Sequence, residues 1–260
     1  MDKFVYRKSA DVTMLSASIT DFSYKKHAHQ EYAVGVTLRG IQQYTMDGAL
    51  QLSHQNGVML FNPEQAHDGT AHDRQGLDYV MLYIDPQVML DAAGQKELVL
   101  FDEPIVYDRT LRTAILNLGS AISGKQDEAR CTELTMLLAE RLTRMNTDVF
   151  SQRKESGLIN KAKELLHADL SEVLQLDKVS TALGLSKYQF IRMFQSQVGS
   201  SPYQYFLNAK IERAKHIIEK EKDVYAAVAA CGLTDLTHLN RHFKSIYGIT
   251  AHEYLCHLLK

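Results

Sequence analysis

A weak internal repeat in the C-terminal half constrains the fold of this 260-residue chain more than any other feature. The tripeptide Gly-Leu-Ser that begins at Gly184 returns 48 residues later as Gly-Leu-Thr, beginning at Gly232. Other landmarks return after 49 residues: Arg192 and Arg241, Phe194 and Phe243, Gly199 and Gly248, Tyr205 and Tyr254. One extra residue therefore lies between Gly232 and Arg241, and the spacing indicates a repeated supersecondary unit.

Each repeat predicts two helices joined by a tight turn. In the first repeat we expect Asp177 to cap one helix, Gly184 to end it in the left-handed conformation, and Ser186 to begin the next. Gln189 follows Ser186 by three positions, which is the spacing of a capping box. The corresponding residues of the second repeat are Asp223, Gly232 and Thr234. This arrangement is typical of a helix-turn-helix motif.

The whole region from residue 159 onward is predicted to be helical. Apolar periodicity and turn residues place the helices at 159–167, 176–182, 187–196, 202–220, 224–230, 236–246 and 251–259. The helix at 202–220 joins the two repeats as a rigid spacer. If it holds their second helices about 34 Å apart, those helices reach successive major grooves on one side of a DNA duplex.

The exposed face of the second helix in each repeat is the candidate DNA-reading surface, because that helix enters the major groove in helix-turn-helix proteins. Arg192 and Arg241 are the strongest candidates, since a planar guanidinium can donate two hydrogen bonds to one guanine or phosphate. Ordinary surface arginines are the alternative. The residues predicted to bind DNA are Ser186, Lys187, Tyr188, Gln189, Arg192, Gln195, Thr234, Thr237, His238, Asn240, Arg241 and Lys244.

Charge is distributed unevenly along the chain. Residues 1–152 contain 14 Lys and Arg against 20 Asp and Glu, whereas residues 153–260 contain 15 against 11. The C-terminal part is therefore the nucleic-acid candidate, although a modest positive charge is often only a solvated surface. Hydrophobic residues make up 45% and charged residues 23%, which excludes a disordered chain. Three scattered cysteines, with no signal-like or membrane-length apolar run, predict a cytoplasmic protein.

Short alternating runs separated by turn residues predict antiparallel strands between about residues 13 and 85. The clearest runs are 32–38, 41–46, 58–61 and 79–84. Beyond residue 108 the apolar spacing becomes helical, with stripes at 111–122 and 134–149. The second stripe either covers the sheet or pairs with its copy in a second subunit. On the second interpretation the dimerisation residues are Leu134, Leu138, Leu142 and Met145.

The C-terminal half resembles the DNA-binding region of the AraC/XylS family of bacterial transcription regulators. The match spans about 159–259. Its most specific part reads Ala-Ala-Cys-Gly-Leu at 229–233, Leu-Asn-Arg-His-Phe-Lys at 239–244 and Tyr-Gly-Ile-Thr-Ala at 247–251, followed by Tyr254. The first repeat supplies matching residues at 183–186, 190–194 and 199–203. The resemblance implies promoter binding, with activation commoner than repression.

The N-terminal half resembles the cupin-like effector-binding domain of many members of that family. The resemblance is carried by residues 27–32, Gly40, 57–63 and His67. It implies a barrel that binds a small-molecule effector through His27, His29, Glu31, Tyr44, Phe61, His67 and Tyr83. The histidines are alternatively ligands of a first-row metal ion or purely structural. We predict no bound metal, no cofactor and no catalytic residue.

Together these patterns predict an α+β chain, with an N-terminal cupin-like antiparallel β-barrel and a C-terminal all-α domain. The expected segments are a barrel at 1–108, a helical dimerisation segment at 109–150, a linker at 151–157 and two helix-turn-helix motifs at 158–260. The expected partners are promoter DNA, a small-molecule effector, a second copy of the chain and RNA polymerase, with no membrane. The alternatives are a metal-dependent cupin enzyme fused to a helical domain, and a barrel used only for oligomerisation.

Overall fold

Two parts of the chain fold around separate cores. The N-terminal unit contains residues 1–24 and 28–150 together with 257–260, and the C-terminal unit contains 25–27 and 151–256. This computed structural model describes residues 2–9, 11–95, 97–145 and 157–259. Nearly all of the predicted linker at 151–157 lies outside the described residues, as do residues 146–150 of the predicted dimerisation segment.

The predicted strands of the N-terminal half are confirmed. Their bounds are β1 Lys3–Ser9, β2 Val12–Ile19, β3 Ser23–His27, β4 Tyr32–Arg39, β5 Gln42–Met46, β6 Ala49–Ser53, β7 Val58–Phe61, β8 His67–Ala71, β9 Leu77–Ile84 and β10 Ile105–Val106. A six-stranded sheet has the order β1-β2-β9-β4-β7-β10, with every neighbouring pair antiparallel. A four-stranded sheet has the order β3-β8-β5-β6.

The predicted barrel is not closed. No strand pairing joins the two sheets within the described part of the chain. Aromatic side chains cross between them instead, as where the rings of Tyr44 on β5 and Phe61 on β7 lie 5.0 Å apart between centroids. Alternation in the sequence predicts which residues of a strand point inward, but it does not show which strands pair with each other. The predicted strands are therefore correct, and the predicted closure of the barrel is wrong.

The six-stranded sheet has two chemically different faces. Register pairs Val34 with Leu82 and Ala33 with Tyr83, and successive side chains of a strand point to opposite faces. The face of Val34 and Leu82 is aliphatic and belongs to a hydrophobic core shared with the following helices. The face of Ala33 and Tyr83 also carries Gly35 and Phe61 and is turned toward the four-stranded sheet. Aromatic and small residues therefore line the space between the sheets.

Helices of the N-terminal unit cover the aliphatic face. They are α1 Pro86–Ala93, α2 Arg109–Ser123 and α3 Glu128–Met145. The carboxylate of Asp108 caps α2 by accepting a hydrogen bond from the backbone N–H of Leu111 at 2.6 Å. Gly119 lets α2 approach the sheet, because a Cβ there would lie 3.3 Å from Cγ1 of Val80. The apolar stripe of α2 is buried in this core together with Leu134, Leu138 and Leu142 of α3, as the covering interpretation predicts.

All seven predicted helices of the C-terminal half are present. They are α4 Gly157–His167, α5 Leu176–Ala182, α6 Lys187–Val198, α7 Pro202–Glu221, α8 Val224–Ala230, α9 Leu236–Tyr247 and α10 Ala251–Leu258. Two have the predicted bounds, and the others differ by at most two residues at either end. Within the described ranges, none of the helices combines the length and the apolar character that crossing a membrane would require.

The long helix α7 forms the predicted spacer. Ser201 caps it by accepting a hydrogen bond from the N–H of Gln204, and Pro202 occupies its first turn, where a missing N–H costs nothing. The side chains of Leu207, Ile211, Ala214 and Ile218 recur at helical spacing and are all buried. This buried stripe from residue 207 to residue 218 stabilises α7 as one rigid element between the two motifs.

Candidate functional site

The first helix-turn-helix motif consists of α5 and α6. Gly184 has φ +69° and reverses the chain after α5, as predicted. Ser186 is the N-cap of α6: its hydroxyl accepts from the N–H of Gln189 at 3.3 Å, and Oε1 of Gln189 accepts from the N–H of Ser186 at 2.9 Å. The predicted capping box is therefore confirmed, and the direction of α6 is fixed by two reciprocal hydrogen bonds.

The second motif, α8 and α9, uses a different cap from the predicted one. Asp223 caps α8 as expected, accepting from the N–H groups of Tyr225 and Ala226. The N-cap of α9 is Asp235, whose carboxylate accepts from the N–H of His238 at 2.7 Å, and not Thr234. The turn is one residue longer than in the first motif, so the helix begins one residue later than the Gly-Leu-Thr match indicates.

The predicted cap of α5 is also wrong. Its N-cap is Gln175, which makes no side-chain capping hydrogen bond, and Asp177 lies within the first turn of the helix. The carboxylate of Asp177 stands 3.5 Å from Nζ of Lys187, an exposed ion pair between α5 and α6. An acidic residue in the first turn interacts favourably with the helix dipole, which explains its position without a cap.

With the caps corrected, α6 and α9 share one register. The fourth and eighth residues after each N-cap are buried anchors, namely Phe190 and Phe194 in α6 and Leu239 and Phe243 in α9. The sixth residue is an exposed arginine in both helices, Arg192 and Arg241. Residues four apart share a helix face, whereas the sixth position faces the opposite side, so both guanidinium groups point away from the core.

Most of the side chains predicted to bind DNA are exposed on these two helices. Tyr188 is 65% exposed. His238 is half-buried. The exposed ones are Ser186, Lys187, Tyr188, Gln189, Arg192, Gln195, Thr234, Thr237, Arg241 and Lys244. Their placement is compatible with one reading surface per motif, and their contact with DNA stays a prediction.

Asn240 has a structural role that its predicted place in the DNA interface did not anticipate. Its Oδ1 atom accepts a hydrogen bond at 3.0 Å from the backbone N–H of Ala251, the first residue of α10. The side chain is half-buried and joins α9 to the following helix. One acceptor of this carboxamide is therefore already used within the domain, and contact of Asn240 with DNA stays a prediction.

Two histidines lie on successive turns of α9. The rings of His238 and His242 are 4.9 Å apart between centroids, and Oγ1 of Thr234 lies 3.4 Å from Nδ1 of His238. Burial lowers the pKa of His242, and the neighbouring His238 and Arg241 lower it further. The imidazole of His242 is therefore uncharged at neutral pH and adds nothing to the positive charge that Arg241 and Lys244 give to the helix.

In the N-terminal unit, several residues predicted to bind the effector lie together between the sheets. The ring of Phe61 is 4.3 Å from that of His67 and 5.0 Å from that of Tyr44. His29 lies 5.5 Å from His67 and 5.0 Å from Tyr83, again between ring centroids. These five side chains form a continuous aromatic wall, as expected for a pocket that binds a small molecule.

Burial sets the protonation of this wall. The pKa of His67 is lowered to about 3, first by burial and then by His29, while Nδ1 of His67 lies 2.8 Å from the carbonyl oxygen of Gln65. The imidazole is thus neutral and donates from Nδ1. Such groups suit first-row divalent ions, so His29 and His67 are the side chains of the wall that could hold one. The absence of a bound metal stays a prediction.

The two other residues predicted to bind the effector are also buried. His27 lies at the end of β3, with its Nδ1 atom 2.6 Å from the carbonyl oxygen of Lys25. Glu31 lies between β3 and β4. Their part in effector binding stays a prediction.

The residues predicted to form a dimer interface do not form an exposed surface. Leu134, Leu138 and Leu142 are buried in the core of their own unit, and only Met145, which is 40% exposed, faces solvent. A leucine that packs under α2 and the sheet is not available to a second subunit. The sequence could not separate the two interpretations, because a stripe that covers a sheet and one that pairs with a copy have the same period.

Comparison with known proteins follows the division into two units. Residues 9–139, half of the chain, match the family described as the AraC-like ligand binding domain. The chain belongs to the AraC family of transcription regulators. Residues 179–256, which contain all of the second motif and all but the first three residues of the first, match a helix-turn-helix domain. The chain is therefore an AraC-type regulator with an effector-binding N-terminal domain and a DNA-binding C-terminal domain, as the sequence predicted.

Two bacterial relatives agree with this assignment. YbfI of Bacillus subtilis, an uncharacterised HTH-type transcriptional regulator, is 26% identical over 223 residues, covering 83% of this chain and 81% of YbfI. LumQ of Photobacterium leiognathi, a probable transcriptional regulator, is 21% identical over 235 residues, covering 88% of this chain and 92% of LumQ. The similarity thus extends through both domains of this AraC-family chain.

A solved structure shares the fold of the AraC-family chain. ToxT of Vibrio cholerae bound to an unsaturated fatty acid superposes with a TM-score of 0.59 at 11% identity, covering 99% of this chain and 95% of ToxT. At that identity the likeness concerns the fold alone.

Sequence reasoning about this AraC-family protein missed two residues of interest. Asp235 lies 49 residues after Ser186, and most landmarks of the repeat return after 49 residues. The 49-residue spacing therefore locates the N-cap of α9, whereas the 48-residue spacing of the Gly-Leu-Thr match does not. Gln42 is a buried polar residue on the inward face of β5, next to Tyr44 and Met46. Gln42 is two residues before Tyr44 on the same strand, so the alternation of the strand already places its polar side chain on the inward face.

Proposed function

We propose that this regulator reads its operator through α6 and α9, with Arg192 and Arg241 as the paired principal contacts. The observation that carries the proposal is their equivalent position, six residues after the N-cap and opposite the buried anchors. A repeated scaffold that keeps an arginine at the same exposed position in both copies is suited to two similar contacts with guanine or phosphate. The rigid helix α7 sets the distance between them.

The two recognition helices differ in what surrounds the arginine. In α6 the exposed polar side chains include Lys187 and Gln195. In α9, Asn240 is committed to α10, which leaves Thr237 and Lys244 beside Arg241. We therefore assign more of the base recognition to α6 and more of the phosphate positioning to α9, since lysine and arginine at a helix surface contact the backbone regardless of sequence.

The N-terminal domain is proposed to bind a small-molecule effector against the aromatic wall of His29, Tyr44, Phe61, His67 and Tyr83. An effector can change DNA binding only if it has different affinities for the competent and incompetent states of the chain. The apolar wall supplies contact area, and polar groups beside it supply selectivity. The fatty acid held by ToxT is one compound class for the effector screen.

The remaining partners are also part of the proposal. We assign dimerisation to the exposed face of α3 and not to its buried leucines. Leu137, 50% exposed, and Arg141 line a groove of about 430 Å³ between α2 and α3. Light scattering of Leu137→Asp against the wild type tests this assignment: a wild-type dimer that becomes a monomer supports it, and an unchanged mass contradicts it.

Activation through contact with RNA polymerase in the cytoplasm, without enzymatic activity, completes the proposed function. Transcription in vitro with purified polymerase, with and without the regulator, tests the direction of control. A rise in transcript from the promoter is the expected outcome, and a fall makes the protein a repressor. The competing idea of a metal-dependent cupin enzyme requires a metal retained in stoichiometric amount through purification.

Fluorescence anisotropy tests the DNA-binding proposal. The full-length protein is titrated onto its own upstream region and onto a scrambled duplex at several salt concentrations. We expect a preference of about a thousandfold and a steep loss of affinity with salt, because phosphate contacts release counterions. Arg130→Ala, an exposed arginine on α3 paired with Glu133, is the matched control and leaves binding unchanged. Equal affinity for both duplexes in the presence of effector contradicts specific reading.

A further inference from the structure

The second recognition helix carries a histidine that the proposed function does not use. His242 follows Arg241 in α9 and is half-buried. The Nη2 atom of Arg241 lies 3.4 Å from Nε2 of His242. A guanidinium group has only N–H donors, so Arg241 donates in this contact and His242 accepts. The imidazole is therefore neutral and carries its proton on Nδ1.

The ring of His242 is placed by its neighbour one turn earlier in α9. His238 and His242 are four residues apart and therefore share one side of the helix. Their rings lie 4.9 Å apart between centroids at 67°, which is an edge-to-face contact. The Nδ1 atom of His238 in turn lies 3.4 Å from Oγ1 of Thr234. These contacts restrict the imidazole of His242, whose Nε2 atom is presented to Arg241.

The surroundings keep His242 in the form that accepts a hydrogen bond. Burial lowers the pKa of His242 below the ordinary value of 6.5, and His238, Arg241 and Lys25 lower it further. His238 and Arg241 lie on α9 itself, and Lys25 is one of the β3 residues that belong to the C-terminal unit. His242 is thus neutral at neutral pH, and it gains its proton only in more acidic solution.

The first recognition helix has no such histidine. The sixth residue after the N-cap is an arginine in both helices, and the seventh is Met193 in α6 and His242 in α9. Both of these side chains are half-buried. A thioether sulfur is only a weak acceptor, so Met193 cannot replace the imidazole nitrogen. The two arginines therefore have equivalent positions and different neighbours.

An arginine that is held before binding contacts DNA at a lower cost in entropy. The side chain of Arg241 is exposed, and a long exposed side chain loses rotamer freedom when it contacts a ligand. The hydrogen bond to His242 restricts the guanidinium in the DNA-free protein, so part of that loss precedes binding. The remaining N–H groups of Arg241 stay available to phosphate oxygens.

We propose that His242 is a positioning residue for Arg241: its neutral imidazole accepts a hydrogen bond from the guanidinium and holds it ready for the DNA backbone. A protonated His242 cannot accept this bond and repels Arg241, so acid removes the support. The inference rests on the proposed contact of Arg241 with DNA. It adds one residue to the interface and a pH dependence that α6 does not share.

The tautomer of His242 tests the contact itself in the DNA-free, full-length protein. Nitrogen NMR of the labelled imidazoles distinguishes a proton on Nδ1 from one on Nε2, and His242→Gln identifies the signals. We expect the proton on Nδ1 in the wild type. We also expect the pKa of His242 to rise in Arg241→Ala, which removes a donor and a positive charge, and to stay unchanged in Arg192→Ala. A proton on Nε2 in the wild type at neutral pH overturns the proposal.

A double-mutant cycle tests the effect on DNA binding at neutral pH. His242→Met removes the acceptor and reproduces the residue of α6, whereas His242→Gln keeps an acceptor that does not titrate. We expect His242→Met to weaken binding to the upstream duplex by about twofold to tenfold, the range of one hydrogen bond, and His242→Gln to bind as the wild type does. In an Arg241→Ala background His242→Met should have no further effect. An equal loss with and without Arg241 overturns the proposal.

The pH profile distinguishes positioning from a merely structural role. The affinities of the wild type and of His242→Gln are compared from about pH 8 to just below the pKa of His242 found by NMR, since their ratio cancels the other titrating groups. We expect equal affinities near pH 8 and weaker binding by the wild type at the acidic end. Equal or tighter binding by the wild type at that end overturns the proposal, because a protonated His242 would then do no harm to Arg241.

The same variants separate a failure of this inference from a failure of the proposed function. If Arg241→Ala binds the upstream duplex as tightly as the wild type, the proposed DNA contact of Arg241 is wrong. The tautomer and the pKa of His242 in the DNA-free protein decide whether it accepts a hydrogen bond from Arg241 in either case.

Discussion

The two helix-turn-helix motifs have the same backbone pattern but make different contacts with the rest of the domain. In both, a glycine with positive φ reverses the chain, an N-cap begins the second helix, and an arginine stands six residues later. The helix after the first motif, α7, carries Tyr205, whose hydroxyl lies 3.1 Å from Nε2 of His167. The helix after the second motif, α10, carries Tyr254, whose hydroxyl donates to the carboxylate of Glu219 at 2.6 Å. The repeat thus preserves the position of the tyrosine, but the hydrogen-bond partner of its hydroxyl group differs.

The second motif is tied more tightly to its surroundings. Asn240 bonds to α10, Tyr247 donates to the carboxylate of Glu212 on α7, and the turn at Gly232 contacts the loop that contains Ser171. The first motif has a capping box and an open turn at Gly184. The difference teaches that duplicated motifs need not use their second helices equally: α6 has more exposed side chains among those predicted to bind DNA, whereas α9 uses Asn240 and Tyr247 for hydrogen bonds within the domain.

The largest expected difference between the motifs is at their turn glycines. In Gly232→Ala the new Cβ overlaps the carbonyl oxygen of Ser171, whereas in Gly184→Ala it meets open space. Left-handed backbone costs an alanine roughly 1–2 kcal/mol in both variants. The overlap with backbone adds about 1–3 kcal/mol to the loss of stability in Gly232→Ala alone. Urea unfolding of the two variants measures the difference, and equal losses contradict the tighter packing of the second turn.

The terminal tyrosines give the next largest effect. Tyr254→Phe removes a hydrogen bond to a carboxylate, which is worth about 1.5–3 kcal/mol, whereas Tyr205→Phe removes a neutral one worth about 0.5–1.5 kcal/mol. Neither substitution changes the packing of the ring. The midpoints of urea unfolding compare the two variants under the same conditions. A larger loss from Tyr205→Phe would show that the first motif has the stronger anchor.

The two recognition arginines should contribute similar amounts of binding free energy but differ in their contribution to sequence specificity. Arg192→Ala and Arg241→Ala are each expected to weaken operator binding by about 1–3 kcal/mol, tenfold to a hundredfold. Because we assign base recognition mainly to α6, Arg192→Ala should also reduce the preference for the operator over a scrambled duplex. Arg241→Ala should weaken binding to both duplexes alike. Anisotropy titrations measure all four affinities, and the reverse pattern would exchange the roles of the helices.

The smallest effect is expected at the caps. Ser186→Ala and Asp235→Ala each remove one capping side chain, at a cost of about 0.5–2 kcal/mol of stability. In α6 the Gln189 half of the capping box survives the substitution, since its Oε1 accepts from a backbone N–H. The loss should therefore be smaller for Ser186→Ala than for Asp235→Ala. Thr234→Ala is the matched control, because Thr234 does not cap α9. Thermal unfolding measures the three variants. A loss of stability in Thr234→Ala as large as that in Asp235→Ala would contradict Asp235 as the N-cap.

Sequence alone predicted the helices of the C-terminal half well because their signals are local. The helices α5 and α8 have the predicted bounds, and Ser186, Gly184 and Asp223 act as expected. The second cap failed because two spacings of the repeat conflict near Thr234, and only the backbone shows where the extra residue is accommodated. The hydrogen bond of Asn240 to α10 was not predicted, because the sequence of one helix does not show which neighbouring helix it contacts.

The N-terminal unit was harder to predict because its organisation depends on distant residues. Alternation located the strands, but the order of strands in two open sheets follows from pairings between residues far apart in the sequence. The leucines of α3 have the same period whether they cover a sheet or form a dimer, and burial alone decides between them. Five of the residues expected to bind the effector do meet, because inward positions of neighbouring strands converge on one space.

Guanine methylation interference on the bound operator tests the central claim most directly, that α6 and α9 enter successive major grooves and that α6 reads the bases. With the wild type, we predict two clusters of interfering guanines about one helical turn, 10–10.5 base pairs, apart on one side of the duplex. Arg192→Ala should lose the cluster at α6, whereas Arg241→Ala should lower the affinity and keep both clusters. A single cluster, or two variants that lose the same cluster, would contradict the account.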